Sequence, residues 1–571
     1  MKKHKYIFVI GGVMSGVGKG ISVSSMGKIL QAKGFKINAV KVDPYLNVDA
    51  GTMNPTEHGE VFVLSSGLEC DQDMGNYERF MDLNLGHDDY ITSGMVYKHV
   101  IEKERNLGYK GKCVEAIPHI TGEITRRIEK AAEESGSDIS IIEIGGTVGD
   151  YQNIMFIEAA RVLHLKNRGD VVFIMVSYLP IPSTVGEMKT RPTQNAVRLL
   201  NSYGVQPDFI IARSAVPLDQ KRKEKIAISC NVYTDHVISA PDIESVYDVP
   251  VNFEKDNLGE LILTALSLKK KSKKDGLTPW KRFVSKTKSA VEPVNIAVVG
   301  KYFDTGDFVL SDAYVSVIEA VKYSAYEIGR KAKMTWINSK DFSASSGSAS
   351  GGENGSKEVS MLKDFDGVLV PGGFGDSGID GILKAIKFAR ENKIPYLGLC
   401  YGMQLAVIEY AKNVLGIKDA NTTEIDPGTA NPVIDIMPDQ KKNLAEEKYG
   451  ATMRLGSYEC NLLEGTIARR AYGEKSVSER HRHRYEVNPS YIEKIERAGM
   501  VFSGKSPDGI LMEIAELPQS VHPFFLGTQF HPEFQARPLS PHPLFTEFLK
   551  LAIQKIRKPV KSPILKVEVK K

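Results

Sequence analysis

Tyr6-Ile7-Phe8-Val9-Ile10-Gly11-Gly12-Val13-Met14-Ser15-Gly16-Val17-Gly18-Lys19-Gly20 lies near the start of the chain and leads into a helical pattern from Ser22 to Ala32. A β-rich run, a glycine-rich loop and a helix in succession are the parts of a phosphate-binding turn. Backbone N–H groups of such a loop cradle phosphates at the helix N-terminus, and Lys19, directly after Gly18, is placed to reach the β- and γ-oxygens. The loop departs from the strict pattern twice. Val13 stands where the first glycine is expected, and Gly20 replaces the Ser or Thr that would hold Mg²⁺. Magnesium demands oxygen ligands, so a nucleotide-bound ion would need acidic residues from elsewhere in the chain. Taken alone, the loop is also compatible with a glycine-rich turn carrying an incidental lysine.

Outward from this turn, apolar runs at Ile37 to Val42, Val171 to Val176, Phe209 to Ala212 and Val237 to Ser239 alternate with helical stretches such as Gly122 to Glu134 and Gln194 to Tyr203. That alternation predicts a doubly wound, mostly parallel sheet. Two acidic candidates for the metal follow. Glu69-Cys70-Asp71-Gln72-Asp73 sits between glycines, and Glu143 ends the run from Ile139 to Ile142, at the carboxyl end of a strand where α/β nucleotide folds gather ligands. The cations and hydroxyls of Gly186-Glu187-Met188-Lys189-Thr190-Arg191-Pro192-Thr193-Gln194 suit a polyphosphate or a base edge.

Length and composition bound the reading. The chain's 571 residues exceed one core and predict two to four domains. Hydrophobic residues at 42% and charged residues at 25% are the composition of a soluble globular protein, with no apolar run near the roughly 20 residues of a membrane span. Met1-Lys2-Lys3-His4-Lys5 runs into a strand with no cleavable small-residue site, and five widely spaced cysteines fit neither a disulfide framework nor a zinc site. The expectation is a cytoplasmic protein. The net charge of +4 is concentrated in a tail from Lys555, where seven basic residues stand against Glu568 alone, so charge gives no reason to invoke nucleic acid. Lys269 to Trp280, polar and broken by Gly and Pro, reads as a linker. Phe342 to Gly355, nearly all Ser, Ala, Gly and acid, has nothing to bury and reads as a disordered insertion.

A second chemistry is written beyond the linker. Pro395-Tyr396-Leu397-Gly398-Leu399-Cys400-Tyr401-Gly402-Met403-Gln404 reads as a nucleophile elbow, with the cysteine at a strained junction of strand and helix and glycines two residues away on either side. Its sulfur then sits at a helix N-terminus, whose dipole favours the thiolate. Gly367 to Gly375 is another strand entering a glycine turn, whose N–H groups form a nest for an oxyanion. Gly527 to Phe534 supplies His531 as base and Glu533 as its orienting carboxylate. In this order the three segments resemble a class I glutamine amidotransferase.

The first half carries a more specific resemblance. Lys41 to Asp49, Gly51 to Met53, His58 to Val63, Asn76 to Phe80, Pro118 to Thr121 and Glu143 to Asp150 are similar to signature segments of the CTP synthase family, in the family's order. The resemblance implies ATP binding by Gly16, Val17, Gly18, Lys19, Gly20, Ile21 and Asp73, assistance at the reacting phosphoryl group by Lys41, and Mg²⁺ held by Asp73 and Glu143. It places UTP and the product CTP on Ser15, Asp150, Tyr151, Gln152, Lys189, Thr190, Arg191, Pro192, Thr193, Gln194 and Lys225. It places glutamine on Gly373, Tyr401, Gly402, Met403, Gln404, Glu424 and Arg484 around the catalytic Cys400, His531 and Glu533. It further implies L-glutamine, ATP and UTP as substrates, GTP as an allosteric activator, a homotetramer and possible filaments.

Five residues depart from the family pattern. Tyr151-Gln152 stand for the usual Ile-Glu, Arg191 for lysine, Lys110 for leucine and Tyr401 for leucine. The expected plan is a P-loop synthetase domain over residues 1–267, a linker over 268–292, an α/β glutamine amidotransferase domain over 293–555 with a flexible insertion at 342–357, and a basic tail at 556–571. Two other readings share parts of this pattern. A P-loop amidotransferase acting on a corrin precursor would lack the Lys41 to Asp49 and Lys189 to Gln194 segments. A filament-forming or regulatory protein with decayed sites would have lost a catalytic group, and none of Lys19, Asp73, Glu143, Cys400, His531 and Glu533 is lost.

Overall fold

The computed structural model describes residues 4–184, 186–272, 274–301, 311–342, 359–437, 440 and 450–554. The insertion beyond Phe342 and the basic tail lie outside the described residues.

The first half is built on a seven-stranded sheet in the order Tyr90–Thr92, Ile37–Asp43, Ile139–Ile144, Lys5–Gly12, Val171–Tyr178, Phe209–Ser214, Val237–Pro241. Every pairing is parallel. The runs read as near-continuous apolar stretches because both faces of the sheet are covered. Tyr6, Phe8 and Ile10 pack into one core and Ile7 and Val9 into the other, the period of two expected of a strand. Chain order reverses on either side of Lys5–Gly12, so the glycine loop emerges at the topological switch point, where open α/β sheets bind ligands.

The second half is a nine-stranded mixed sheet in the order Lys331–Asn338, Pro293–Gly300, Gly367–Val370, Tyr396–Leu399, Phe525–Thr528, Met512–Glu516, Val501–Lys505, Arg454–Leu462, Ser476–His483. The first five strands are parallel and the rest antiparallel. Three neighbouring parallel strands therefore end on one rim, at Val370, Leu399 and Thr528, and each leads into one of the segments read as glutaminase chemistry.

The stretch expected to be a plain linker contains a helix, Thr278–Ser289. Its Trp280, Phe283 and Val284 are buried at helical spacing, which the surrounding lysines mask in sequence. Trp280 lies 4.9 Å from the Phe80 ring, and its indole N–H donates to the Tyr247 carbonyl at 2.9 Å. One hydrophobic cluster thus holds Phe80 and Tyr247 of the first half with Val294 and Ile296 of the second.

Charged groups also join the halves. Glu78, fully buried, forms an ion pair with Arg480 at 2.9 Å and accepts from Arg537 at 2.7 Å, and Arg480 donates to the Val63 carbonyl and Asn84, each at 3.0 Å. Arg482 meets Glu69 at 2.8 Å. Removing one member of a buried, hydrogen-bonded charge cluster leaves the others desolvated and unpaired. Glu78→Ala is therefore expected to destabilise the chain by about 3–5 kcal/mol, seen as a lower midpoint in urea unfolding. An unchanged midpoint would show that the two arginines find water.

Candidate active site

The glycine loop is shaped as its sequence requires, with one anomaly. Gly16 and Gly18 adopt φ of 70° and 86°, and Gly18 ends the loop by capping Lys19–Ala32, three residues earlier than the pattern starting at Ser22 indicated. Val13, at φ 79°, occupies the left-handed region that a β-branched residue rarely enters, which explains why the strict pattern has glycine there.

Gly20 has a direct structural reason. A Cβ at this position would stand 2.1 Å from Asp73 Oδ1. The carboxylate from the helix Gln72–Met81 occupies the space where a P-loop hydroxyl would sit. Asp71 fixes that helix start by accepting from the Asp73 N–H at 2.8 Å.

Around this point four carboxylates, Asp43, Asp71, Asp73 and Glu143, meet two lysines. Lys41 Nζ donates to Asp73 Oδ2 at 2.6 Å and Glu143 Oε1 at 3.0 Å, with Asp43 at 3.5 Å. Burial opposes the Lys41 charge, but Asp43, Asp73 and Glu143 outweigh it and hold the ammonium well above the ordinary lysine range. Burial also opposes the charge of Asp73, and Lys41 and Lys19 outweigh it and hold the carboxyl low. Burial raises Glu143, which Tyr77 also contacts, and lowers Lys19, whose Nζ donates to the Gly146 carbonyl at 2.8 Å.

The acid surplus and the buried, unpartnered Asp43 Oδ2 fit a hard cation. Among the described residues no group of three or more His, Cys, Asp or Glu could cage a metal alone. Magnesium in nucleotide enzymes takes one or two carboxylates and completes its shell with phosphates and water.

Beside Gly18 and Ile21 opens a cavity of about 240 Å³ that the sequence reading did not include. Its far wall is Arg213, Asp242, Ile243 and Val246, with Arg213 fixed to the Ala240 and Pro241 carbonyls at 3.1 Å and to Asp242 at 2.8 Å. These residues follow the strands Phe209–Ser214 and Val237–Pro241, so the rule that ligands gather at carboxyl strand ends was the available signal.

The residues expected to take UTP and CTP divide by burial. Thr190, Thr193 and Gln194 are buried, with Thr193 Oγ1 2.8 Å from Ser177 Oγ and Gln194 donating to Thr190 at 3.1 Å. Ser15, Asp150, Tyr151, Gln152, Arg191 and Lys225 are exposed. Tyr151 stands 92% exposed and Lys189 pairs with Glu187 at 2.7 Å.

The cysteine site is compact. Cys400 has φ 49° and ψ −98°, a conformation costing on the order of 1–3 kcal/mol in a non-glycine residue. Its N–H donates to the Thr528 carbonyl at 2.6 Å, and a Cβ at Gly402 would stand 2.4 Å from the Val370 carbonyl. The elbow is therefore pressed against both neighbouring strands, which leaves position 402 to glycine. The sulfur, 4% exposed as a residue, has Gln529 Nε2 at 3.6 Å and the Arg482 carbonyl at 3.8 Å.

His531 Nδ1 lies 2.7 Å from Glu533 Oε1, while Nε2 is buried without a hydrogen bond. Burial would strip the ring of its proton, but Glu533 and the nearby Cys400 outweigh burial and push the imidazole up to about 10.

A cavity of about 380 Å³ gathers Gly373, Cys400, Tyr401, Gln404, Glu424 and Arg484. Gln404 donates to the Tyr485 carbonyl at 3.0 Å and Arg484 to Gln440 at 2.6 Å. Burial raises the Glu424 carboxyl, against the opposing Gly375 N–H and Lys301. Met403 is fully buried behind Gly527. A second cavity of about 140 Å³ is lined by Cys400, His531 and Glu533 on one side and by Asn54, Pro55, Glu60 and Val61 of the first half on the other.

Comparison with known proteins agrees with this division. The family described as CTP synthase N-terminus matches residues 5–268, and glutamine amidotransferase class-I matches residues 309–551. The CTP synthase of Caldanaerobacter subterraneus subsp. tengcongensis is 48% identical over 96% of this chain and 98% of its own. That of Thermococcus gammatolerans is 48% identical over the same shares. Among solved structures, the glutaminase domain of Trypanosoma brucei CTPS with bound acivicin is 35% identical, covering 46% of this chain and 94% of that one with a TM-score of 0.40. A match at this identity along nearly the whole length of both chains leaves one assignment: the chain belongs to the CTP synthase family.

Proposed function

We propose that the chain makes CTP from UTP, with ATP as phosphoryl donor and glutamine as nitrogen source. The observation that supports this reading is the cavity lined both by Cys400 and by Asn54, Pro55, Glu60 and Val61, which belong to the half that holds the phosphate loop.

The Cys400 thiolate attacks the glutamine side-chain carbon, and N–H groups around Gly373 receive the tetrahedral oxyanion. His531, held protonated by Glu533, gives its proton to the departing ammonia. Water then hydrolyses the thioester and releases glutamate. Gln404, Glu424 and Arg484 orient the substrate from their shared cavity.

In the first half ATP phosphorylates the 4-oxygen of UTP, and ammonia arriving from Cys400 displaces that phosphate, giving CTP, ADP and phosphate. Lys19 and Lys41 stabilise the transferring phosphoryl group, and the cavity beyond Gly18, walled by Arg213 and Asp242, takes the adenine. Asp73 and Glu143 would hold Mg²⁺, which when bound neutralises phosphate charge. UTP and CTP are assigned to Ser15, Asp150 to Gln152, Lys189 to Gln194 and Lys225. The mostly exposed state of these groups accords with a site completed by a second copy in a homotetramer. GTP activation and filament assembly belong to the same reading. Among the described residues no helix is long and apolar enough to cross a membrane, and the proposed location is the cytoplasm.

Purified chain with UTP, ATP and Mg²⁺ is expected to yield CTP from either glutamine or ammonium, measured by nucleotide chromatography. Absence of CTP from ammonium would overturn the assignment.

A further inference from the structure

The turn that carries Gly373 is held from outside by two side chains with no part in the mechanism above. Gly375, at φ 74°, has both polar backbone atoms engaged. Its N–H donates to Glu424 Oε1 at 2.8 Å, and its carbonyl accepts from the Tyr401 hydroxyl at 2.7 Å and from Lys301 Nζ. The same ammonium donates to the Phe374 carbonyl and to the Tyr401 hydroxyl, each at 3.2 Å, and stands 4.4 Å from the centre of the Tyr401 ring.

We propose that Tyr401 and Lys301 form a latch on the Phe374–Gly375 peptide that sets where Gly373 meets the oxyanion and where Glu424 meets the glutamine α-ammonium group. Both are positioning residues, and the assignment rests on the reading of Cys400 as a glutaminase nucleophile.

The physical argument is one of restraint. A glycine-rich turn has many accessible conformations, and an oxyanion hole works only when its donors are already aimed. Tyr401 is the residue after Cys400 and is 2% exposed, so its hydroxyl ties the turn to the elbow itself. Leucine at this position would fill the space but leave the Gly375 carbonyl with the lysine alone and remove the ring beneath the ammonium. Glu424 is fixed through the Gly375 N–H, so a shift of one peptide displaces the oxyanion donors and the α-amino ligand together.

The latch is charge-dependent. Lys301 faces Glu424 and Asp376 as well as the Tyr401 hydroxyl, and burial lowers its ammonium to about 8 despite those two acids. Below that pH the charged ammonium grips both carbonyls. Above it the lysine loses its charge and one donor, and the turn loosens.

The test uses the full-length chain and its Tyr401→Phe, Lys301→Met, Lys301→Arg and double Tyr401→Phe/Lys301→Met variants. Glutamate release is measured against glutamine concentration and pH. CTP formation from ammonium reports the intact synthetase half. Tyr401→Phe and Lys301→Met are each expected to lower kcat/KM for glutamine about tenfold, with kcat falling and KM rising, because they loosen an oxyanion donor rather than delete it. The double variant is expected to lose less than the product of the singles, since both act on one peptide. The parent's glutamate release should decline above pH 8, and Lys301→Arg should carry that decline to higher pH because guanidinium stays charged. Parent-like kcat/KM in both single variants, multiplicative losses in the double, or an alkaline decline unmoved by arginine would overturn the latch. Absence of glutamate release from the parent would overturn the glutaminase reading beneath it.

Discussion

Cys400→Ala is expected to lower glutamine-driven CTP formation by at least about a thousandfold while leaving the ammonium-driven rate within about twofold of the parent. On the proposed mechanism the substitution removes the sulfur that forms the acyl intermediate and leaves the backbone unchanged. The backbone N–H bond of Cys400 to Thr528 is retained by alanine, and the sulfur's contacts with Gln529 and the Arg482 carbonyl, at 3.6 and 3.8 Å, are the ones lost. The left-handed strain at position 400 is the same for alanine, so the elbow keeps its shape. His531 loses the sulfur but keeps Glu533 at 2.7 Å. CTP measured from each nitrogen source decides the matter. Substantial glutamine-driven synthesis in the variant would remove Cys400 as nucleophile, and loss of the ammonium-driven rate would remove the separation of the two sites.

Glu143→Gln is expected to fail differently, lowering CTP formation from both nitrogen sources by about a hundredfold or more and raising the Mg²⁺ concentration needed for half-maximal rate. Glutamine at 143 is nearly isosteric, and Lys41 keeps its 2.6 Å bond to Asp73, so the fold is preserved. What disappears is one unit of negative charge at the end of a central strand. Burial works against that charge and Lys41, at 3.0 Å, favours it. Alkylation of Cys400 by iodoacetamide should proceed at the parent rate, showing that the distant elbow is untouched. A parent-like ammonium-driven rate would overturn the proposed role of Glu143 in holding Mg²⁺.

Local information made much of the fold legible. The apolar runs of the first half are strands buried on both faces, and in the second half the strands ending at Val370, Leu399 and Thr528 form the rim where Gly373, Cys400 and His531 converge. Contacts between residues far apart in sequence were not legible. No periodicity links Glu78 to Arg480 and Arg537, and nothing local marks Arg213 and Asp242 as walls of a cavity that begins at Gly18. The helix Thr278–Ser289 was hidden by composition, since its lysines dominate the window in which Trp280, Phe283 and Val284 form a narrow apolar stripe. The resemblance offers Tyr401 as a glutamine contact that departs from the usual leucine. Its hydroxyl partner, the carbonyl of Gly375, becomes visible only when two adjacent strands are placed side by side.

Gly20 and Asp73 carry a consequence for how such loops change over time. The carboxylate stands 2.1 Å from where any side chain at position 20 would begin, so serine or threonine there would evict it rather than assist it. The two positions form an epistatic pair. A side chain can enter position 20 only if the acid at position 73 gives way, so grafting the commoner P-loop sequence onto this scaffold requires the acid to be replaced in the same step.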